Sequence, residues 1–251
     1  MKMLKTVKEK LKEIEERENV RILHCVESGS RAWGFASPDS DYDVRFIYAR
    51  PKEYYLRLDK TKDVIEWQLD DTLDINGWDL QKALRLLHKS NPTLFEWNNS
   101  PIIYKTTDEW KEVSRAIESH FVKKSGLYHY LSTAKSNYHV HLGKEIVRYK
   151  KYFYVLRPLL ACKWILGEGT PPPMLFKTLM DKYLDECIKP DVELLLKMKM
   201  TMPEIGEGKC FRRIDEYLLG EMDRVEKAIS ELPESEPHGW EALNALFLKL
   251  I

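Results

Sequence analysis

The sequence predicts an α+β half of about residues 1–104 followed by an all-helical half, about residues 105–251. Three observations predict it. Short apolar runs bounded by turn residues recur up to about residue 104. That alternation stops near residue 105. Beyond it, apolar residues return every three or four positions through long stretches.

Residues 3–17 read as an amphipathic helix with Leu4, Val7, Leu11 and Ile14 on one face. Val20–Val26 is a short apolar run closed by Ser28-Gly29-Ser30, hence a strand and a tight turn. Residues 31–40 form a loop of small residues containing Pro38, and Asp43–Tyr48 is a second strand. Residues 63–69 and 72–76 make a hairpin around Asp70–Asp71. Residues 80–89 are a helix, since Leu80, Ala83, Leu84 and Leu87 share a face and Asp79 sits where an N-cap belongs. Thr106–Glu109 has capping-box spacing ahead of a helix carrying Trp110, Val113 and Ile117. Residues 126–150 read as one long helix, and 152–166 as another closed by Gly167 before the Pro171–Pro173 loop. Further helices are expected near 174–188, 191–200, 209–231 and 239–250, with 201–208 as loop.

Composition narrows the function. Lys+Arg and Asp+Glu stand at 40 each, which argues against wrapping a long duplex and leaves room for a local basic pocket. No run approaches the roughly 18 apolar residues of a membrane span, and the N-terminus lacks the apolar stretch of a signal peptide. A cytoplasmic protein with no membrane role is expected. Cys25, Cys162, Cys187 and Cys210 are far apart with no CxxC spacing, so reduced thiols are expected.

The informative segment runs from Ser28 to Val44. Asp41 and Asp43 open a strand, where side chains alternate with period 2, so both carboxylates point to one face. Two adjacent carboxylates repel, and a hard divalent cation relieves that repulsion. Mg²⁺ is the expected ion, with Mn²⁺ as the alternative. Gly29-Ser30 follows a strand, where glycine lets a phosphate approach and successive N–H groups form an anion nest. Such a cradle ten residues ahead of a metal-binding pair suits a nucleoside triphosphate bound as its metal complex. Asp74, between Leu73 and Ile75, is the candidate third carboxylate, which would complete a metal shell or take the nucleophile's proton. Its rivals are Glu66, read as an exposed strand residue, and Asp79, read as a cap. Arg31 lies beside the nest. Trp33 and Phe35 either stack on a base or pack the loop against the core. Asn137, His141, Lys144, Arg148 and Lys151 have the 4, 3, 4, 3 spacing of one helix face, extended by Tyr152 and Arg157. That row either binds phosphates or an RNA backbone, or is a solvated face.

Gly-Ser, ten intervening residues, Asp-Tyr-Asp-Val and a later strand aspartate together resemble the signature of the polymerase-β nucleotidyltransferase superfamily. More closely, GSRAWGF…SDYDVRFIY, DINGWDLQKALRLL…NPTLFEW and KYFYVLRPLLACKWI…GTPPP are similar to the predicted nucleotidyltransferases called RNA-ligase-associated. These blocks spread over roughly residues 24–175. The resemblance implies a small mixed β-sheet core with flanking helices, followed by an all-helical domain. It implies metal ligands at Asp41, Asp43 and Asp74, triphosphate contacts at Gly29 and Ser30, and transfer of a nucleoside monophosphate with release of pyrophosphate. Association with RNA ligases points to an RNA end as acceptor and to an RNA ligase as partner. The alternatives are the same chemistry on a protein or small-molecule acceptor, and a non-catalytic nucleotide-binding partner of an RNA ligase.

Overall fold

The computed structural model describes residues 2–70, 72–201, 206–234 and 238–251. The chain divides into two compact units. One comprises Met1–Ala32, Asp41–His120 and Pro237–Ile251, and the other Trp33–Ser40 and Phe121–Glu236.

In chain order the first unit holds α1 (Lys2–Glu18), β1 (Arg21–Glu27), α2 (Gly29–Trp33) up to Ala32, β2 (Tyr42–Ala49), α3 (Lys52–Tyr55), β3 (Val64–Asp70) and β4 (Leu73–Asp79). It continues with α4 (Leu80–His88), α5 (Pro92–Asn98), β5 (Ile103–Thr106) and α6 (Trp110–Ser119). Five strands form one sheet in the order β3-β4-β2-β1-β5. β2 and β4 run parallel, and every other neighbouring pair is antiparallel. This is the mixed sheet with flanking helices that the resemblance implies.

Alternation along β4 buries Leu73 and Ile75 and turns Asp74 and Asn76 to the opposite face. β2 buries Val44 and Phe46 and leaves Asp43 and Arg45 partly exposed. Val7, Leu11 and Ile14 of α1 share a core with Ile22, Cys25, Val44, Phe46 and Ile75. Leu4 stays 44% exposed, and Met3 in its place packs against that core one turn before Val7. β3 and β4 make the expected hairpin; Asp71, half of its turn, lies outside the described residues. Asp79 caps α4, its carboxylate accepting the Gln81 N–H at 2.7 Å. The capping-box expectation at Thr106 fails. Thr106 ends β5 and pairs with His24 of β1, so α6 starts only at Trp110. Sheet pairing outbids the local cap.

The second unit holds α7 (Lys123–His141), β6 (Ile146–Arg148), α8 (Lys150–Glu168), α9 (Phe176–Tyr183), α10 (Lys189–Thr201), β7 (Glu207–Lys209) and α11 (Arg212–Ser230). α12 (Glu241–Leu250) falls in the first unit. The expectation of one helix over 126–150 fails at Leu142, whose backbone is extended, and at Gly143, whose φ is +69°. A left-handed glycine ends helices, and the β-branched Ile146-Val147 that follow pair with β7 instead. α8 passes through Gly167 and is capped by Gly169 in the left-handed region. Of the expected 201–208 loop, 202–205 lie outside the described residues and Glu207–Lys209 is β7. The units part at 120/121 although sequence character changes near 105, because α6 and α12 are helical in pattern yet pack together within the sheet unit.

Phe35 is buried in the core of the second unit, 4.8 Å from the Phe153 ring and 5.4 Å from Phe176. Among the described residues, no helix is long and apolar enough to cross a membrane. The four cysteines are free thiols.

Candidate active site

The site grows from the end of β1. Glu27 is fully buried, and burial pushes its carboxyl up from the usual range. It accepts the Asp43 backbone N–H at 2.8 Å and the Tyr104 hydroxyl. The next residue, Ser28, donates its N–H to the Asp43 carbonyl at 2.8 Å. Both backbone groups of Asp43 are thereby held by the β1–α2 turn. Gly29 follows with φ +58°, and a Cβ there would lie 2.0 Å from Asp43 Oδ2. Only glycine provides both that backbone and that clearance. Ser30 lies partly exposed in the first turn of α2, and that helix takes residues 31–33 out of the expected 31–40 loop.

Asp43 and Asp74 are direct partners in the parallel β2–β4 pair. A single nitrogen, Arg45 Nη2, donates to Asp43 Oδ1 at 2.9 Å and to Asp74 Oδ2 at 2.8 Å. Arg45 Nη1 donates to the carbonyls of Val44 at 3.0 Å and Asp74 at 3.1 Å. Asp41 lies one residue before β2 and is exposed. Arg31 Nε donates to the Asp41 carbonyl at 3.0 Å, and its guanidinium lies 3.7 Å from the Tyr42 ring centre. Arg31 thus fastens the entry to β2.

Among the described residues, no group of three or more His, Cys, Asp or Glu side chains could hold a metal ion. The structure brings Asp43 and Asp74 together and does not gather Asp41 with them. The pair still fits Mg²⁺ or Mn²⁺ by donor chemistry: both groups are hard oxygen ligands, they share one cation already, and Mg²⁺ takes one or two carboxylates with water and phosphate filling the rest.

The other sequence candidates fall in the helical unit. Lys144 Nζ donates to the Val140 carbonyl at 2.8 Å near the end of α7. Arg148 is exposed on β6 opposite Glu207, and Lys151 Nζ lies 4.5 Å from the Tyr154 ring centre. They do not share a helix face, because α7 has ended. They still surround His141, whose pKa is lowered by burial and then by Lys151, Lys144 and Arg148. Tyr152 and Arg157 do not extend the row, for both are buried. Tyr152 accepts the Phe211 N–H, and Arg157 lies 4.8 Å from the Trp33 ring centre. Glu66 is exposed on β3, and Asp79 is the α4 cap.

Sequence reasoning missed Glu27 and Arg45. The signal for Arg45 was present, since the period-2 rule that pairs Asp43 with its neighbours two residues away also selects Arg45. Glu27, an acid that ends a strand dominated by Ile22, Leu23, Cys25 and Val26, was also legible.

A mixed sheet with paired aspartates beside a Gly-Ser turn is of the polymerase-β nucleotidyltransferase type. The model of the RNA repair pathway DNA polymerase beta family, RlaP, matches residues 3–249, and the chain belongs to that family. The match takes in both compact units, well beyond residues 24–175. The chain is 42% identical over 251 residues to a Bacillus subtilis (strain 168) protein described as "Uncharacterized protein YcgL", covering 99% of this chain and 96% of that one. It also has a likeness to the crystal structure of a nucleotidyltransferase-like protein from Exiguobacterium sibiricum 255-15. That likeness has 13% identity and a TM-score of 0.33, covers 99% of this chain and 88% of that one, and adds nothing to the assignment of fold.

Proposed function

We propose that the chain transfers a nucleoside monophosphate from an NTP to the hydroxyl of an RNA end, releasing pyrophosphate. The observation that carries this reading is the Asp43–Asp74 pair, aligned across parallel strands with Gly29 against Asp43. Family membership supports nucleotidyl transfer in RNA repair. The acceptor oxygen bonds to the α-phosphorus as the bridging oxygen to the β-phosphorus leaves with pyrophosphate. Asp43 and Asp74 hold the divalent cation, with Asp41 the next carboxylate along the chain. When bound, that cation supplies charge neutralisation for the triphosphate. Asp74, the more exposed of the pair, accepts the hydroxyl proton. Gly29, left-handed ahead of a right-handed turn, starts a backbone cradle for phosphate oxygens, with the Ser30 hydroxyl and Arg31 beside it. Lys144, Arg148 and Lys151 bind polyanion on the helical unit. An RNA ligase acting on the same ends is the expected partner.

The test is incubation of α-labelled NTPs, Mg²⁺ and an RNA pool with the protein. Labelled RNA and pyrophosphate are expected, lost on chelation, and reduced about 10³-fold or more by Asp43→Asn, which removes several kcal/mol of charge stabilisation. Equal labelling by Asp43→Asn defeats the proposal. The balance of 40 basic and 40 acidic residues favours, as a second reading, a protein or small-molecule acceptor; label appearing there and not on RNA selects it.

A further inference from the structure

Arg45 sits where a shared metal ion would. One nitrogen touches a carboxylate oxygen of both Asp43 and Asp74, at 2.9 and 2.8 Å, so its charge lies between them. The other terminal nitrogen is tied to carbonyls of β2 and β4. Arg45 is thus seated across the two strands by four hydrogen bonds, and its side chain is only 18% exposed.

Guanidinium and metal compete for the same oxygens. With Arg45 in place, the two carboxylates and one guanidinium carry a single net negative charge. A free dication joining them would leave the group net positive and face a cation of like sign. To bind in full it must displace two charge-assisted hydrogen bonds. A dication arriving on a triphosphate brings compensating negative charge, and the triphosphate gives the displaced guanidinium new acceptors.

We propose that Arg45 is a positioning residue that holds Asp43 and Asp74 together without metal, keeps free divalent cations off them, and yields to a metal–triphosphate complex. This rests on the reading of Asp43 and Asp74 as metal ligands.

The test is titration of Mn²⁺ followed by the loss of its free-ion electron paramagnetic resonance signal. Wild type, Arg45→Gln and Arg45→Lys are compared, with and without a non-hydrolysable NTP analogue. Arg45→Gln binds free Mn²⁺ roughly tenfold more tightly than wild type, the equivalent of one charged hydrogen bond no longer displaced. The gap closes when Mn²⁺ is supplied with the analogue. Arg45→Lys, whose point charge cannot fork across both strands, falls between the two and guards against a folding artefact. Without metal, Arg45→Gln melts a few degrees lower and Mn²⁺ restores the melting temperature. An arginine with a merely structural role lowers the melting temperature and leaves Mn²⁺ affinity unchanged. Equal free-Mn²⁺ affinity in all three proteins overturns the proposal and leaves the metal pair standing. Absence of binding in all three, with and without the analogue, removes the metal pair and this proposal with it.

Discussion

Gly29→Ala perturbs the site through a single methyl group. At φ +58° an alanine costs about 1–2 kcal/mol from its backbone alone. Its Cβ would also lie 2.0 Å from Asp43 Oδ2, against the 3.4 Å at which contact becomes ordinary, so the carboxylate must retreat by about 1.4 Å. Asp43 cannot retreat as a whole, because Glu27 and Ser28 hold its backbone N–H and carbonyl. The carboxylate must rotate, which strains the hydrogen bond from Arg45 to its other oxygen, and overpacking of this kind adds about 1–3 kcal/mol. The expected loss is about 2–5 kcal/mol, or about 5–15 °C in melting temperature for a chain of this size. The proposed nucleotide transfer is expected to fall about 10²-fold or more, since an ångström of misplacement at a reacting group costs that much. Circular dichroism melts and kcat/KM for transfer measure the two effects. The structure makes a sharper statement about Asp43→Ala, which removes the obstructing carboxylate. The double variant is less destabilised than the sum of the single ones by about 1–2 kcal/mol. Strict additivity, or a Gly29→Ala protein with wild-type stability, refutes the contact between Gly29 and Asp43.

Two further outcomes follow from other residues. Asp79 is buried, and burial raises its pKa from 3.8 to about 6. The folded state therefore binds more protons than the unfolded state between those values, and stability falls as pH rises from about 4 to about 6, by up to about 3 kcal/mol. Asp79→Asn keeps an acceptor for the Gln81 N–H and cannot ionise; urea melts are expected to show that slope lost and stability at pH 7 equal to or above wild type, while an unchanged slope assigns it elsewhere. Replacing Lys144, Arg148 and Lys151 together by Ala is expected to leave the fold intact, since Lys144 and Arg148 are exposed and Lys151 is partly exposed. If they meet a single-stranded RNA backbone, log affinity loses up to about 2 units of slope against log salt, read by fluorescence anisotropy; an unchanged slope makes them a solvated face.

How much of this was legible in the sequence depends on the range of the interaction. Period-2 alternation placed Asp43 and Asp74 on exposed faces of their strands, and local capping chemistry placed Asp79, because each needs only its chain neighbours. Their adjacency needs β2 and β4 to run parallel with Asp43 opposite Asp74, a register set by long-range pairing. The bridging by Arg45 depends on the same register. The row at Lys144, Arg148 and Lys151 was misread because one left-handed residue, Gly143, outweighs seven residues of helical spacing. Phe35 was open to two readings, and its burial among Phe153 and Phe176 favours packing over base stacking. The return of α12 to the sheet unit is invisible to local pattern, for its apolar face is covered by residues more than a hundred positions away.

The proposed chemistry requires Asp43 and Asp74 to share a divalent cation beside the Gly29 turn. Anomalous diffraction from crystals soaked with Mn²⁺ and a non-hydrolysable NTP analogue locates that ion. The expected peak lies about 2 Å from oxygens of both carboxylates, with Arg45 Nη2 displaced and triphosphate oxygens at the Gly29–Ser30 backbone. A peak elsewhere, with Arg45 still bridging Asp43 and Asp74, contradicts it.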